Sequence, residues 1–141
     1  MIIDHLGFNV VDIDKMKAFY TAALAPLGIT PLMDFETRQR LEHQHSDGDG
    51  GHGPPQRAIG FGRVKPELWM STGTTATRPH LHIALLAQSR AAVDAFYAAA
   101  IAAGGKDNGK PGVREIYHPN YYGAFVVDPE GHNLEAVIHT L

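Results

Sequence analysis

Apolar and polar positions along this chain form short runs, and the runs break in the same order twice. Residues Ile2 to Val11 are apolar and β-branched, which predicts a strand. Asp12 or Asp14 then supplies a helix N-cap, and Met16, Phe19, Tyr20, Ala23 and Leu27 recur at helical spacing until Pro26-Leu27-Gly28 ends the helix. Further strands are predicted over 29–35, where Pro31 marks an edge, and over 57–63 and 67–72. Between them, residues 43–56 read HQHSDGDGGHGPPQ and have no periodicity, which predicts a loop. A small polar connector, 71–78, leads to a strand over 80–87 and a helix capped by Ser89 that runs to Ala103 and closes at Gly104-Gly105. Strands over 113–117, 121–127 and 133–139 complete the chain, the last two joined by the turn Asp128-Pro129-Glu130-Gly131. Each half reads β-α-β-β-β.

The halves also match residue by residue. Laying His5-Leu6-Gly7-Phe8 on His82-Ile83-Ala84-Leu85 brings Ala18-Phe19-Tyr20 onto Ala95-Phe96-Tyr97 without a gap, and eight of 24 positions are identical across a shift of 77 residues. That is the mark of a duplicated module. The duplication repeats a histidine at the same strand position, so two imidazoles occupy pseudo-symmetric places.

Composition narrows the possibilities. The 141 residues suit one domain, 1–141, in which module 1 (1–73) and module 2 (79–141) share a core. The 44% hydrophobic content is ordinary for a globular chain, and the net charge of −3 offers no basic footprint for nucleic acid. No apolar run approaches the roughly 18 residues of a membrane span, and MIIDHLGF lacks the charged region of a signal peptide. A cytoplasmic protein without nucleic-acid or membrane partners is the expectation. The absence of cysteine excludes disulfides, thiolate ligands and cysteine nucleophiles.

Superposing Glu67 on Glu135 gives each module one histidine on its first strand and one glutamate on its last. Alternation along a strand lets such a residue face a concavity while its neighbours enter the core. The set His5, Glu67, His82 and Glu135, without sulfur, suits a divalent ion such as zinc, nickel, manganese, cobalt or iron. An ion of this kind polarises an oxygen of a small substrate, and a glutamate that detaches, Glu67 or Glu135, becomes a general base. The run 117–122 places His118, Tyr121 and Tyr122 in or beside a loop, where they are candidates for lining a substrate pocket. His80 reads as a rim residue, and His43, His45 and His52 as solvated loop residues. Gly60-Phe61-Gly62 lacks the strand–helix context of a nucleotide loop.

His5 ahead of Phe19-Tyr20, His82 ahead of Phe96-Tyr97, and the terminal Asp128-Pro129-x-Gly131-x-x-Leu134-Glu135 resemble the vicinal oxygen chelate superfamily over essentially the whole chain. Its members include glyoxalase I, fosfomycin-resistance thiol transferases, bleomycin-resistance proteins and type I extradiol dioxygenases. The resemblance implies an α+β fold of two βαβββ modules forming a cup-shaped mixed sheet with helices on the outer face. It also implies a homodimer, and it puts His5, Glu67, His82 and Glu135 on the ligand positions of glyoxalase I. A glyoxalase-like lyase is the reaction this set implies. Without Glu67, the set resembles the three-ligand sites of the thiol transferases and dioxygenases, and a metal-free binder of drugs or metabolites is the reading from another class.

Overall fold

The structure is a computed structural model that describes residues 2–37, 56–73 and 75–139. Most of the predicted 43–56 loop, with His43, His45 and His52, lies outside the described residues. Strand β1 (Leu6–Val10) leads through Asp12 into helix α1 (Ile13–Leu24), and the Asp12 side chain accepts from the Lys15 amide at 3.0 Å. A 3-10 turn, Ala25–Leu27, follows, as expected of a helix that meets Pro26. Strands β2 (Thr30–Thr37), β3 (Gln56–Gly62) and β4 (Leu68–Thr72) complete the first module. The second repeats it with β5 (His82–Leu86), α2 (Arg90–Ala102), β6 (Lys106–Val113), β7 (Tyr121–Val127) and β8 (Asn133–His139).

Each module is a four-stranded mixed sheet, ordered β1-β4-β3-β2 and β5-β8-β7-β6. The first and last strands of each module pair in parallel and the others antiparallel. Pro31 lies on the edge strand β2, where a missing amide breaks no interior ladder. The strand expected over 113–117 lies earlier, at Lys106–Val113, and Arg114 begins a turn whose carbonyl accepts from Tyr117 and His118. Its sequence, KDNGKPGV, carries no strand pattern. Pairing with β7 imposes the conformation, at the cost of two irregularities in register.

Phe19, Tyr20 and Phe96 are buried, whereas Tyr97 packs against the core only in part. One continuous apolar cluster contains residues of both modules, from Phe8 and Met16 to Val93, Leu134 and Ile138. One face of each sheet bears its helix and contributes to this core, and among the described residues no element covers the other, open face.

The turn between β7 and β8 fastens the modules together. Asp128 accepts from the Tyr20 hydroxyl at 2.6 Å through one oxygen, and from the Glu130 and His132 amides at 2.8 and 3.0 Å through the other. The Glu130 carboxylate accepts from the amides of Val11 and Asp12 at the start of α1, where a helix favours negative charge. Gly131 is required by its φ of 92°, and a Cβ there would lie 2.7 Å from His80 Nε2. His132 is fully buried against Phe8; its Nδ1 accepts from Leu81 at 3.0 Å, so its hydrogen sits on Nε2, which has no partner among the described residues.

Replacing Asp128 by Ala should destabilise the fold by about 3 kcal/mol, since it leaves the buried Tyr20 hydroxyl and two amides unsatisfied; urea unfolding measures this, and an unchanged midpoint would contradict the role given to the turn. A pH dependence should accompany it. Burial holds the His132 pKa below 6.5, aided by the charges of Arg78 and His80 and opposed by those of Asp128 and Glu130. The unfolded chain therefore takes up this proton near pH 6.5, and the folded chain does so only at lower pH. Stability is complete above that value and declines as the pH falls toward the folded pKa, and His132→Gln should flatten this decline in urea midpoints.

Candidate metal and substrate site

On the open face of module 2, β5 presents His82 and Ala84, β8 presents Glu135, Val137 and His139, and β7 presents Tyr121 and Phe125. Glu135 is 1% exposed, yet both of its oxygens are engaged. His82 Nε2 lies 2.7 Å from Oε2, and the Tyr121 hydroxyl donates to Oε1. The His82 side chain remains 55% exposed, so the pair is a buried carboxylate beneath an accessible imidazole. Burial, then the hydrogen bond to Glu135 and its charge, push the Tyr121 hydroxyl pKa up, which keeps it a donor.

The neighbouring groups are aromatic and imidazole. His118 Nε2 meets His139 Nδ1 at 2.6 Å, while His118 Nδ1 accepts from the Asn120 amide. The Tyr121 ring packs edge-on against both imidazoles. Of the three candidate pocket residues, His118 and Tyr121 thus gather near Glu135. Tyr122 points the other way: alternation turns it toward α2, where its hydroxyl donates to Asp94 at 2.6 Å and Arg90 covers its ring. His80 lies at Gly131 and packs against His132, at the turn.

Module 1 is built differently. His5 is 60% exposed and contacts its neighbour Asp4 at 2.7 Å, and Lys65 pairs with the same carboxylate. The hydrogen bonds from His5 and then Lys65 hold the Asp4 pKa below the ordinary carboxylate value. Glu67 is exposed and precedes β4, and its carbonyl accepts from Leu6 at 2.8 Å. Among the described residues, no three His, Cys, Asp or Glu side chains converge. Of the four predicted ligands, His82 and Glu135 touch, and neither His5 nor Glu67 joins them.

Strand register also separates the two glutamates. Gly7 pairs with Trp69 in module 1, and its repeat counterpart Ala84 pairs with Glu135 in module 2. Leu6 pairs with Leu68 and its counterpart Ile83 with Leu134, so the counterpart of Glu67 is Asn133, and that of Glu135 is Trp69. Superposing the glutamates by type shifts the strands by two residues. Trp69 carries no sequence signal of a site; its meaning comes from register alone.

Residues 2–136 match the family model of the Glyoxalase/Bleomycin resistance protein/Dioxygenase superfamily. Among solved structures, a glyoxalase/bleomycin resistance protein from Albidiferax ferrireducens T118 is 26% identical with a TM-score of 0.65, over 97% of this chain and 98% of that one. A glyoxalase/bleomycin resistance protein/dioxygenase family enzyme from Burkholderia phytofirmans PsJN shares the fold at 18% identity and a TM-score of 0.60, over 98% of each chain. Glyoxalase I from Zea mays shares it at 20% identity and a TM-score of 0.60, over 96% of this chain and 43% of that one. No curated protein matches the sequence.

Tyr121→Phe should cost roughly 1–3 kcal/mol in urea unfolding, because it leaves one oxygen of a buried carboxylate without its donor. A wild-type midpoint in that variant would remove Tyr121 as the residue that fixes Glu135.

Proposed function

The chain belongs to the glyoxalase/bleomycin resistance protein/dioxygenase superfamily, and from that premise we propose that it is a divalent-metal-dependent enzyme acting on a small oxygenated substrate chelated at the ion. The observation that carries this reading is the His82–Glu135 contact of 2.7 Å, an imidazole nitrogen and a carboxylate oxygen already facing each other on an open sheet. Nitrogen and oxygen donors without sulfur fit zinc, nickel, manganese, cobalt or iron. His5 of a second copy supplies the third donor, so the active species is a homodimer with each site shared between chains. Two features support the sharing: His5 and His82 are both largely exposed, and no three donors meet within one chain among the described residues.

When bound, such an ion polarises the oxygens of its ligand and acidifies a neighbouring proton. The protein's own groups do the rest. Tyr121 fixes one oxygen of Glu135 and leaves the other facing His82, which orients the carboxylate before substrate arrives. Glu67 is left free to accept a proton at its exposed carboxylate. Trp69, not Glu67, is the register counterpart of Glu135, which favours a three-donor site and the transferase or dioxygenase reactions that such sites serve. Glyoxalase-like lyase chemistry is the second reading, and it is favoured by the Glu67 backbone bonding to Leu6, the residue that follows His5.

Zinc-dialysed wild type should hold about one ion per chain, and Ala at His5, His82 or Glu135 should remove most of it, whereas Glu67→Gln should keep it. Mixing the His5→Ala and His82→Ala proteins, with subunit exchange, should restore about a quarter of wild-type zinc, since about half the dimers then carry one intact site of two. No restoration would place the donors within one chain, and zinc at wild-type level in His82→Ala would end the metal reading. Turnover of methylglyoxal hemithioacetal that Glu67→Gln abolishes would move the assignment to the lyase.

A further inference from the structure

The two imidazoles of the proposed site are held in different ways. In module 2 the carboxylate comes from the last strand, and Glu135 takes His82 at Nε2. In module 1 the register counterpart of Glu135 is Trp69, so β4 brings no carboxylate to His5. The residue before His5 supplies one instead: Asp4 Oδ1 lies 2.7 Å from His5 Nδ1. An ionised carboxylate only accepts, so Nδ1 carries the ring hydrogen of the neutral imidazole and Nε2 keeps its lone pair. That Nε2 has no partner among the described residues, and the ring is largely exposed.

Asp4 is itself braced. Lys65 donates to its second oxygen, Oδ2, and to its carbonyl at 3.3 Å. Lys65 belongs to the turn between β3 and β4, which folds tightly back on itself. The Glu67 amide donates to the Phe61 carbonyl at 2.8 Å, and a Cβ on Gly62 would fall 1.8 Å from the Lys65 carbonyl oxygen. Across the shift that relates the modules, the counterpart of Asp4 is Leu81, which has no acceptor to offer. The series Lys65, Asp4, His5 is therefore particular to module 1, and it anchors the imidazole that has no glutamate beneath it. We propose that Asp4 is a positioning residue for the His5 donor, fixing the ring tautomer so that Nε2 is offered to a divalent ion. The inference rests on the metal reading only for what Nε2 then binds. With its far nitrogen held by an acceptor, the ring neither rotates nor exchanges tautomer on binding, and the negative charge strengthens Nε2 as a donor.

In metal-free protein at about pH 9, where a free imidazole is neutral, nitrogen NMR of the histidine rings should show His5 protonated at Nδ1. Asp4→Asn, whose Oδ1 still accepts, should keep that tautomer, and Asp4→Leu, the residue of module 2, should lose it. By competition with a chelating dye, Asp4→Leu should weaken zinc binding about tenfold and Asp4→Asn by less than about threefold. Lys65→Met, which leaves Asp4 unbraced, should weaken it about twofold. Asp4 and Lys65 are both exposed, so these variants spare the core. Either an unchanged tautomer or wild-type zinc affinity in Asp4→Leu overturns the positioning role and leaves the metal site in place. Nδ1 protonation that depends on Asp4, in protein that takes up no zinc, sustains the positioning and ends the metal reading.

Discussion

The buried hydrogen bond from Tyr20 to Asp128 is the constraint on which the arrangement of the two modules depends. It joins a helix of one module to a turn of the other, and the same turn places Glu130 at the start of that helix. Both contacts come from five residues, 128–132, whose amides already fold back on Asp128. Neither module has the apolar area to stand firmly alone, and the shared cluster beneath the sheets is their common solution. Tyr20 in that cluster needs an acceptor, since burial pushes its hydroxyl pKa well up and leaves it a donor at any ordinary pH. Asp128 meets that need, and in doing so it orients the strand that follows.

That strand is β8, and the consequence is felt seven residues later at Glu135. A carboxylate 1% exposed is costly unless paired, and its two partners come from β5 and β7 on either side. The open face of module 2 is therefore polar and organised, with three imidazoles and a phenol around one buried acid. The open face of module 1 carries an indole where its twin has the acid. Duplication supplied two similar sheets, and divergence at one register position gave them different chemistry.

The difference bears on function. A symmetric pair of modules would surround an ion with four equivalent donors. Here one module offers a carboxylate and imidazole that touch, and the other offers an exposed imidazole, with an indole at the position of the carboxylate.

The sequence by itself determined the two-module plan and most element boundaries. Helix periodicity around Phe19 and Phe96, the caps at Asp12 and Ser89, and the alternation over 121–127 and 133–139 are local properties, and the structure reproduces them. It also marked His82 and Glu135, which the repeat and the terminal motif identify independently. Strand β6 was not legible, because KDNGKPGV is a strand only through its pairing with β7. Nor was the equivalence of the last strands. Matching glutamate to glutamate ignores register, which is set by hydrogen bonds to β1 and β5 and not by residue type. Trp69, Gly60 and Phe35 are far apart or unremarkable in the chain and meet only once the β4-β3-β2 ladder forms. The direction of Tyr122 is decided the same way, since the two faces of β7 are defined by what packs beneath them.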